Sequence, residues 1–171
     1  MLGPDDHVDG PADAPLELLM YGDFQCPYCS AAQGILRRVR ERLDGRLRFA
    51  FRHFPLDDVH PDARRAAEAS EAAAAQGLFW PMHDALYAAR GRLAFDDVLR
   101  AAATVPGLDV ERVRAELASG VHAPRVQRYV ESGRALGVPG TPAFFINGER
   151  HGAAFDAQGL IAALEGRREA A

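Results

Sequence analysis

The sequence predicts an α/β fold in which one sheet is built from both ends of the chain around a helical insertion. Three observations carry this: a strand-helix-strand pattern at the N-terminal end, helical periodicity from His60 to Gly137, and strand signals that return afterwards and close with a helix. The 171 residues suffice for one domain with a full core, and an apolar content of 48% excludes a disordered chain or a small disulfide scaffold. The expected division is a single domain over 1–171, with sheet-bearing parts at about 14–58 and 138–166 and the insertion at about 59–137.

In chain order, residues 1–14 read as a polar arm or leading turn. "PLELLMYGDF" (15–24) is an apolar run with few charges, the pattern of a strand buried on both faces. Ile35, Leu36, Val39 and Leu43 recur near helical spacing in residues 28–43, and Asp44-Gly45 ends that helix. "RLRFAFRHF" (46–54) alternates apolar and basic residues as a strand does. Five short helices follow. The first places Pro61 in its opening turn and runs to Gly77. The next cover about 79–90 and 95–103, the fourth is capped by Asp109 with Val110, Val113 and Leu117 on one face, and the fifth spans about 122–136 despite Gly133. "PAFFING" (142–148) is a strand ending in an Asn147-Gly148 turn, with a partner strand through 150–155. A helix over 156–166, capped by Asp156 and apolar at Leu160, Ile161 and Leu164, precedes a frayed "RREAA".

Charge excludes more than it specifies. All basic residues are Arg, the formal net charge is −4, and no basic block points to nucleic acid. No apolar run reaches the roughly 18 residues that span a bilayer, so no membrane insertion is expected. The N-terminal segment lacks the features of a signal peptide, which predicts a cytoplasmic protein, or an extracytoplasmic one if a leader has been removed.

The chain has two cysteines, and both lie in "FQCPYC" where the first strand passes into a helix. A bridge between Cys26 and Cys29 closes a very short loop and stabilises little through chain entropy, so the pair reads as chemical. A thiol attacks a disulfide as its thiolate, and a helix N-terminus favours that anion. Pro27 is the preferred first helical residue. Cys26 is therefore expected to be the exposed nucleophile of low pKa, and Cys29 the more buried thiol that resolves the mixed disulfide. Tyr28 adds no charge between them, which places the expected potential near about −200 to −230 mV. Half of a zinc site is the competing reading, but no second CxxC or close His pair supplies the other ligands; no metal and no cofactor are expected.

Thr141-Pro142, in "GVPGTPAFF", forms a second candidate site. A proline opening a strand cannot donate to the ladder, and a cis bond would leave the Thr141 backbone free to pair with an extended peptide; an ordinary turn proline is the equal alternative. His53 reads as a packing or hydrogen-bonding residue, and Phe79, Trp80 and Met82 as core beneath the insertion. His60, His83, His122 and His151 show no ligand spacing.

The segments "YGDFQCPYC", "FRHFPLDDVHPDARRAAEA", "QGLFWPMHDALY" and "GVPGTPAFFINGERHGAAFD" together resemble the DsbA-like thiol-disulfide oxidoreductases of the thioredoxin superfamily over about residues 5–165. They also resemble soluble thioredoxin-like domains fused to sodium/proton antiporters. The resemblance implies a thioredoxin fold with a helical insertion, Cys26 as nucleophile, Cys29 as resolving thiol, a cis Pro142 after Thr141, and a substrate-binding rim of Pro27, Tyr28, Thr141 and Pro142. It implies protein or peptide thiols and disulfides as partners, with an unidentified recycling partner; a monomer is expected. One departure stands out: relatives often carry an acidic residue six positions before the first cysteine, where this chain has Met20, so the proton-transfer role is unassigned and Asp23 is not equivalent. A glutaredoxin-like or glutathione-dependent reductase or transferase, and a non-catalytic redox-sensing interaction domain, remain the alternative readings.

Overall fold

The computed structural model describes residues 2–152 and 155–166. Two parallel strands form the centre of its sheet, β2 (Leu16–Gly22) and β3 (Leu47–His53). Parallel neighbours need a crossover, and α1 (Pro27–Arg42) supplies it. β4 (Ala143–Ile146) runs antiparallel to β2, and β5 (Glu149–Arg150) pairs with β4 across the Asn147-Gly148 turn. Between β3 and β4 the chain forms α2 (Ala63–Ala74), α3 (Phe79–Ala88), α4 (Phe95–Ala103), α5 (Val110–Ser119) and α6 (Ala123–Ala135). α7 (Ala157–Gly166) follows the sheet. No described helix is long and apolar enough to cross a membrane.

Both sheet faces are covered, which is why β2 is apolar on both faces apart from the half-buried Glu17. Leu16, Leu18 and Met20 enter a large core with Phe49, Phe51, α1, the helices α2–α5 and α7. Leu19 and Tyr21 point the other way, into a smaller core with Phe54, Val130, Val138 and Phe145. α6 closes this second face at Gly133, where a Cβ would stand 2.6 Å from the Phe54 ring. That close approach explains a glycine inside a helix that continues to Ala135.

Three expectations need correction. Residues 1–14 are not merely an arm: β1 (His7–Asp9) pairs antiparallel with β3, His7 opposite Phe51 and Asp9 opposite Phe49. Three residues carry no periodicity, and their ladder partner exists only once β3 is in place. Pro61 is not in the opening turn of α2, which starts at Ala63 with Asp62 at its N-cap. The preceding segment is held instead by side chains of the β2–α1 turn, among them Gln25, whose Oε1 accepts from the Asp62 N–H at 2.8 Å. The partner strand expected through 150–155 is Glu149–Arg150; residues 153 and 154, like the predicted frayed end at 167–171, lie outside the described residues. The predicted caps are present: Asp109 Oδ1 accepts from Arg112 N at 2.9 Å, and Asp156 Oδ1 from Gly159 N at 2.7 Å.

Candidate active site

Cys26 is the N-cap of α1 in extended backbone geometry, Pro27 is the first helical residue, and Ser30 N–H closes the first turn on the Cys26 carbonyl at 3.1 Å. Cys29 lies inside that turn. Both thiols are free. The pair comes together because a strand ends at Gly22 and a helix begins at Pro27. Cys26 is less open than its N-cap position predicts: it is 3% exposed and Cys29 0%. The covering segment is the one that leads into β4. The Thr141–Pro142 bond is cis, and the Thr141 carbonyl accepts from Cys26 Sγ at 3.4 Å. Pro27 and Tyr28 stand at the surface beside it, Tyr28 70% exposed. The structure thus brings all six predicted site residues to one end of α1.

The two sulfurs differ chemically. The Cys29 thiol hydrogen-bonds to Cys26, and this, together with the Cys29 and Tyr28 backbone N–H groups and Thr141, outweighs burial and pulls the Cys26 thiol down to about 5. Burial pushes the Cys29 thiol far up, and the Cys26 charge beside it adds to the rise. The Thr141 hydroxyl is buried and has no hydrogen-bond partner, yet it favours the ionised form of both sulfurs. Tyr87 from α3 is buried behind the pair; its hydroxyl reaches the Asp23 carbonyl at 3.5 Å, and burial above all holds its phenol neutral.

Sequence reasoning set Asp23 aside as not equivalent to the family's acidic residue and gave it no role. Its carboxylate is buried beneath the turn, where Oδ1 accepts from the N–H groups of Gln25 at 2.7 Å and Cys26 at 3.1 Å. Oδ2 accepts from Leu56 N–H at 2.9 Å and lies 2.8 Å from His60 Nδ1. An Asp bonding the N–H groups two and three residues ahead is an Asx turn, a local signal the motif carries. Gln25 extends the network to Asp62 and the Gly91 carbonyl. Met20, six positions before Cys26, is fully buried in the apolar core.

His53, His7 and Glu71 form a second polar cluster that residue spacing did not reveal. Each imidazole Nε2 stands 2.8 Å from the same Glu71 oxygen, and Arg125 Nε lies 2.7 Å from the other. The three ligand-type atoms lie within 4.8 Å of one another. At 2.8 Å these are hydrogen-bond contacts; ligands at about 2.0–2.1 Å from a tetrahedral zinc would stand further apart. The hydrogen-bonding role expected of His53 is therefore seen, with Glu71 as partner. Phe79 and Met82 are buried in the core, and Trp80 packs its ring 5.5 Å from Phe49, as expected of an apolar stripe.

Residues 3–166 match the family model described as Thioredoxin. The fold is shared with a thioredoxin-like oxidoreductase from Silicibacter pomeroyi, at a TM-score of 0.87 and 26% identity over 99% of this chain and 95% of that one. It is shared equally with oxidised BdbD from Bacillus subtilis, at 0.87 and 20% identity over 96% and 93%. The DsbA protein alpha-DsbA1 of Wolbachia pipientis matches at 0.80 and 20% identity over 99% and 96%. In sequence, the chain is 44% identical over 159 residues to the Na(+)/H(+) antiporter NhaA 1 of Salinispora arenicola, covering 93% of this chain and 24% of that protein. The chain thus spans about a quarter of the length of the curated relatives it matches. Among the described residues a five-stranded sheet and seven helices carry this fold, and the family match over residues 3–166 places the chain in the thioredoxin family.

Proposed function

We propose that this chain is a thiol-disulfide oxidoreductase that exchanges disulfides with protein or peptide thiols, with Cys26 as nucleophile and Cys29 as resolving thiol. The observation that carries the reading is the asymmetry of the pair: one sulfur ionised at neutral pH at a helix N-cap, the other held neutral behind it.

In the reducing direction the Cys26 thiolate attacks one sulfur of a client disulfide. A mixed disulfide forms, and the other client sulfur leaves as a thiolate. Cys29 gives up its proton and attacks Cys26 Sγ, which releases the second client thiol and leaves Cys26–Cys29 oxidised. The oxidising direction is the reverse, beginning with a client thiolate at Cys26. A stabilised Cys26 thiolate favours the reduced pair and so favours donation of the disulfide. A Cys26 thiol at about 5 lies between the thiols of thioredoxin, about 7, and DsbA, about 3.5. The potential should accordingly fall between their values of about −270 and −120 mV. Pro27, Tyr28, Thr141 and Pro142 form the client-facing rim, and a separate redox protein recycles the pair.

The test is a client exchange assay with trapping. Cys26→Ser should abolish turnover, and Cys29→Ala should accumulate mixed disulfides through Cys26; full activity of Cys26→Ser would overturn the assignment. A second reading is favoured by the relatives named as antiporters, of which this chain matches only about a quarter. There the pair acts as a redox sensor for an attached partner. Slow turnover of clients, with partner binding by one redox form alone, would select it. Turnover of glutathione mixed disulfides would instead favour a glutaredoxin-like enzyme.

A further inference from the structure

Asp23 and His60 stand beneath the dithiol turn, and the proposed chemistry gives them no part. The Asp23 carboxylate is 2% exposed, and its two oxygens take three backbone N–H groups and one imidazole nitrogen. An ionised carboxyl accepts at about four sites, so this one is fully committed. Its Oδ1 accepts from the Cys26 N–H at 3.1 Å, which links its charge to the attacking residue through a single peptide group. His60 differs: its side chain is 17% exposed, so its ring exchanges protons with solvent while holding Asp23 at 2.8 Å.

The other groups around the pair are accounted for. Cys26 and Cys29 lie on the turn and α1, and Tyr87 reaches the Asp23 carbonyl from α3. On the segment that carries His60, Asp57 is held by Arg64 at 2.5 Å and Asp62 by Arg65 at 2.6 Å. His60 is thus the cation-forming group in contact with Asp23. A lone carboxylate behind the turn opposes a second negative charge on Cys26, and an imidazolium against it cancels that opposition. Histidine is the side chain whose charge changes between about pH 5 and 8.

We propose that Asp23 and His60 are a positioning pair whose net charge, switched by the His60 ring, sets the thiolate fraction of Cys26. The pair does not touch the client; it acts through the Cys26 amide and the field at the sulfur. By linkage the effect is reciprocal, so the His60 ring titrates higher when Cys26 is a thiolate than when it is in a disulfide.

The proposal rests on the dithiol reading, but its test does not need turnover. The rate of alkylation of Cys26 by iodoacetamide is followed against pH in the reduced chain, in His60→Asn and in Asp23→Asn. Asparagine at 60 keeps a donor where Nδ1 was and removes the charge. His60→Asn should show about threefold less thiolate than the parent on the acid side, with the midpoint moved up, and Asp23→Asn should move it down. A His60→Asn profile that overlays the parent, or shifts of the same sign in both variants, would overturn the proposal. Should Asp23→Asn fail to fold, proton NMR titration of His60 in the reduced and oxidised parent decides: a higher midpoint in the reduced chain is expected, and equal midpoints overturn it. A chain that gives the predicted profiles yet exchanges no disulfides would instead sink the function proposed above and leave this pair standing.

Discussion

Two buried carboxylates organise this molecule, and they do different work. Asp23 and Glu71 are each 2% exposed, and each is held by imidazole. Asp23 takes three backbone N–H groups from the dithiol turn and the loop beside it, and the imidazole against it is 17% exposed. Glu71 takes side chains only: His7 from β1, His53 from β3 and Arg125 from α6, with His7 stacked on Phe79 at a centroid distance of 3.6 Å. Burial opposes the Glu71 charge, but the His53 and His7 hydrogen bonds win, and its carboxyl is held well below the usual range. The same group thus serves as a charge tuned by one imidazole where it braces the dithiol turn, and as a clamp between elements where it gathers side chains from β1, β3 and α6.

The sharpest way to break this comparison is to remove the clamp. Glu71→Ala leaves two imidazoles without their common partner and Arg125 without its ion pair, and breaking such a buried pair costs about 3–5 kcal/mol. Denaturant unfolding should show that loss, while the Cys26 alkylation profile of the variant stays that of the parent. A stable variant with an altered profile would show that the two carboxylates are not separate.

Acid should act on the clamp next. Burial holds the His53 ring below its ordinary value of 6.5, so the unfolded chain takes up the proton first as pH falls. Stability is therefore full above about pH 6.5 and declines below it. Glu71, also depressed, keeps its contribution above its ordinary 4.5 and loses it as pH falls through the folded value, which adds a second decline. Unfolding free energies at about pH 8, 6 and 4 should fall in that order, and a flat profile would contradict the clamp.

Smaller effects sharpen the active-site side. Thr141→Val removes a buried hydroxyl that favours both thiolates without changing shape much. The Cys26 midpoint should rise, because a side chain that favours the thiolate is gone. The smallest change expected is at an exposed carboxylate, Asp109, which only caps α5. Asp109→Ala should cost about 1 kcal/mol and leave the thiol profile untouched.

Much of the fold was legible because its signals are local. The CPYC turn, the periodicity of α1 and the Asp109 and Asp156 caps each depend on residues within a turn or two of one another. The rest was not legible because it depends on distant partners. β1 is a strand only against β3; Gly133 is explained only by the Phe54 ring; Glu71 is functional polar structure only when β1, β3 and α6 converge on it. Asp23 falls between these cases: its Asx turn is local, but its bonds to Leu56 and His60 span more than thirty residues.

By itself, the sequence determined that both thiols sit where a strand hands over to a helix, because Pro27 and the adjoining apolar periodicities act over a few residues. It determined as well that the sheet is split, because helical and strand periods alternate along the chain. Only the tertiary structure decided that Cys26 is covered by the Thr141 carbonyl, that Met20 belongs to the core, and that Asp23 with His60 lies beneath the turn. Those outcomes depend on burial and on the field of charges brought together from far apart in the chain, and neither quantity exists until the elements pack.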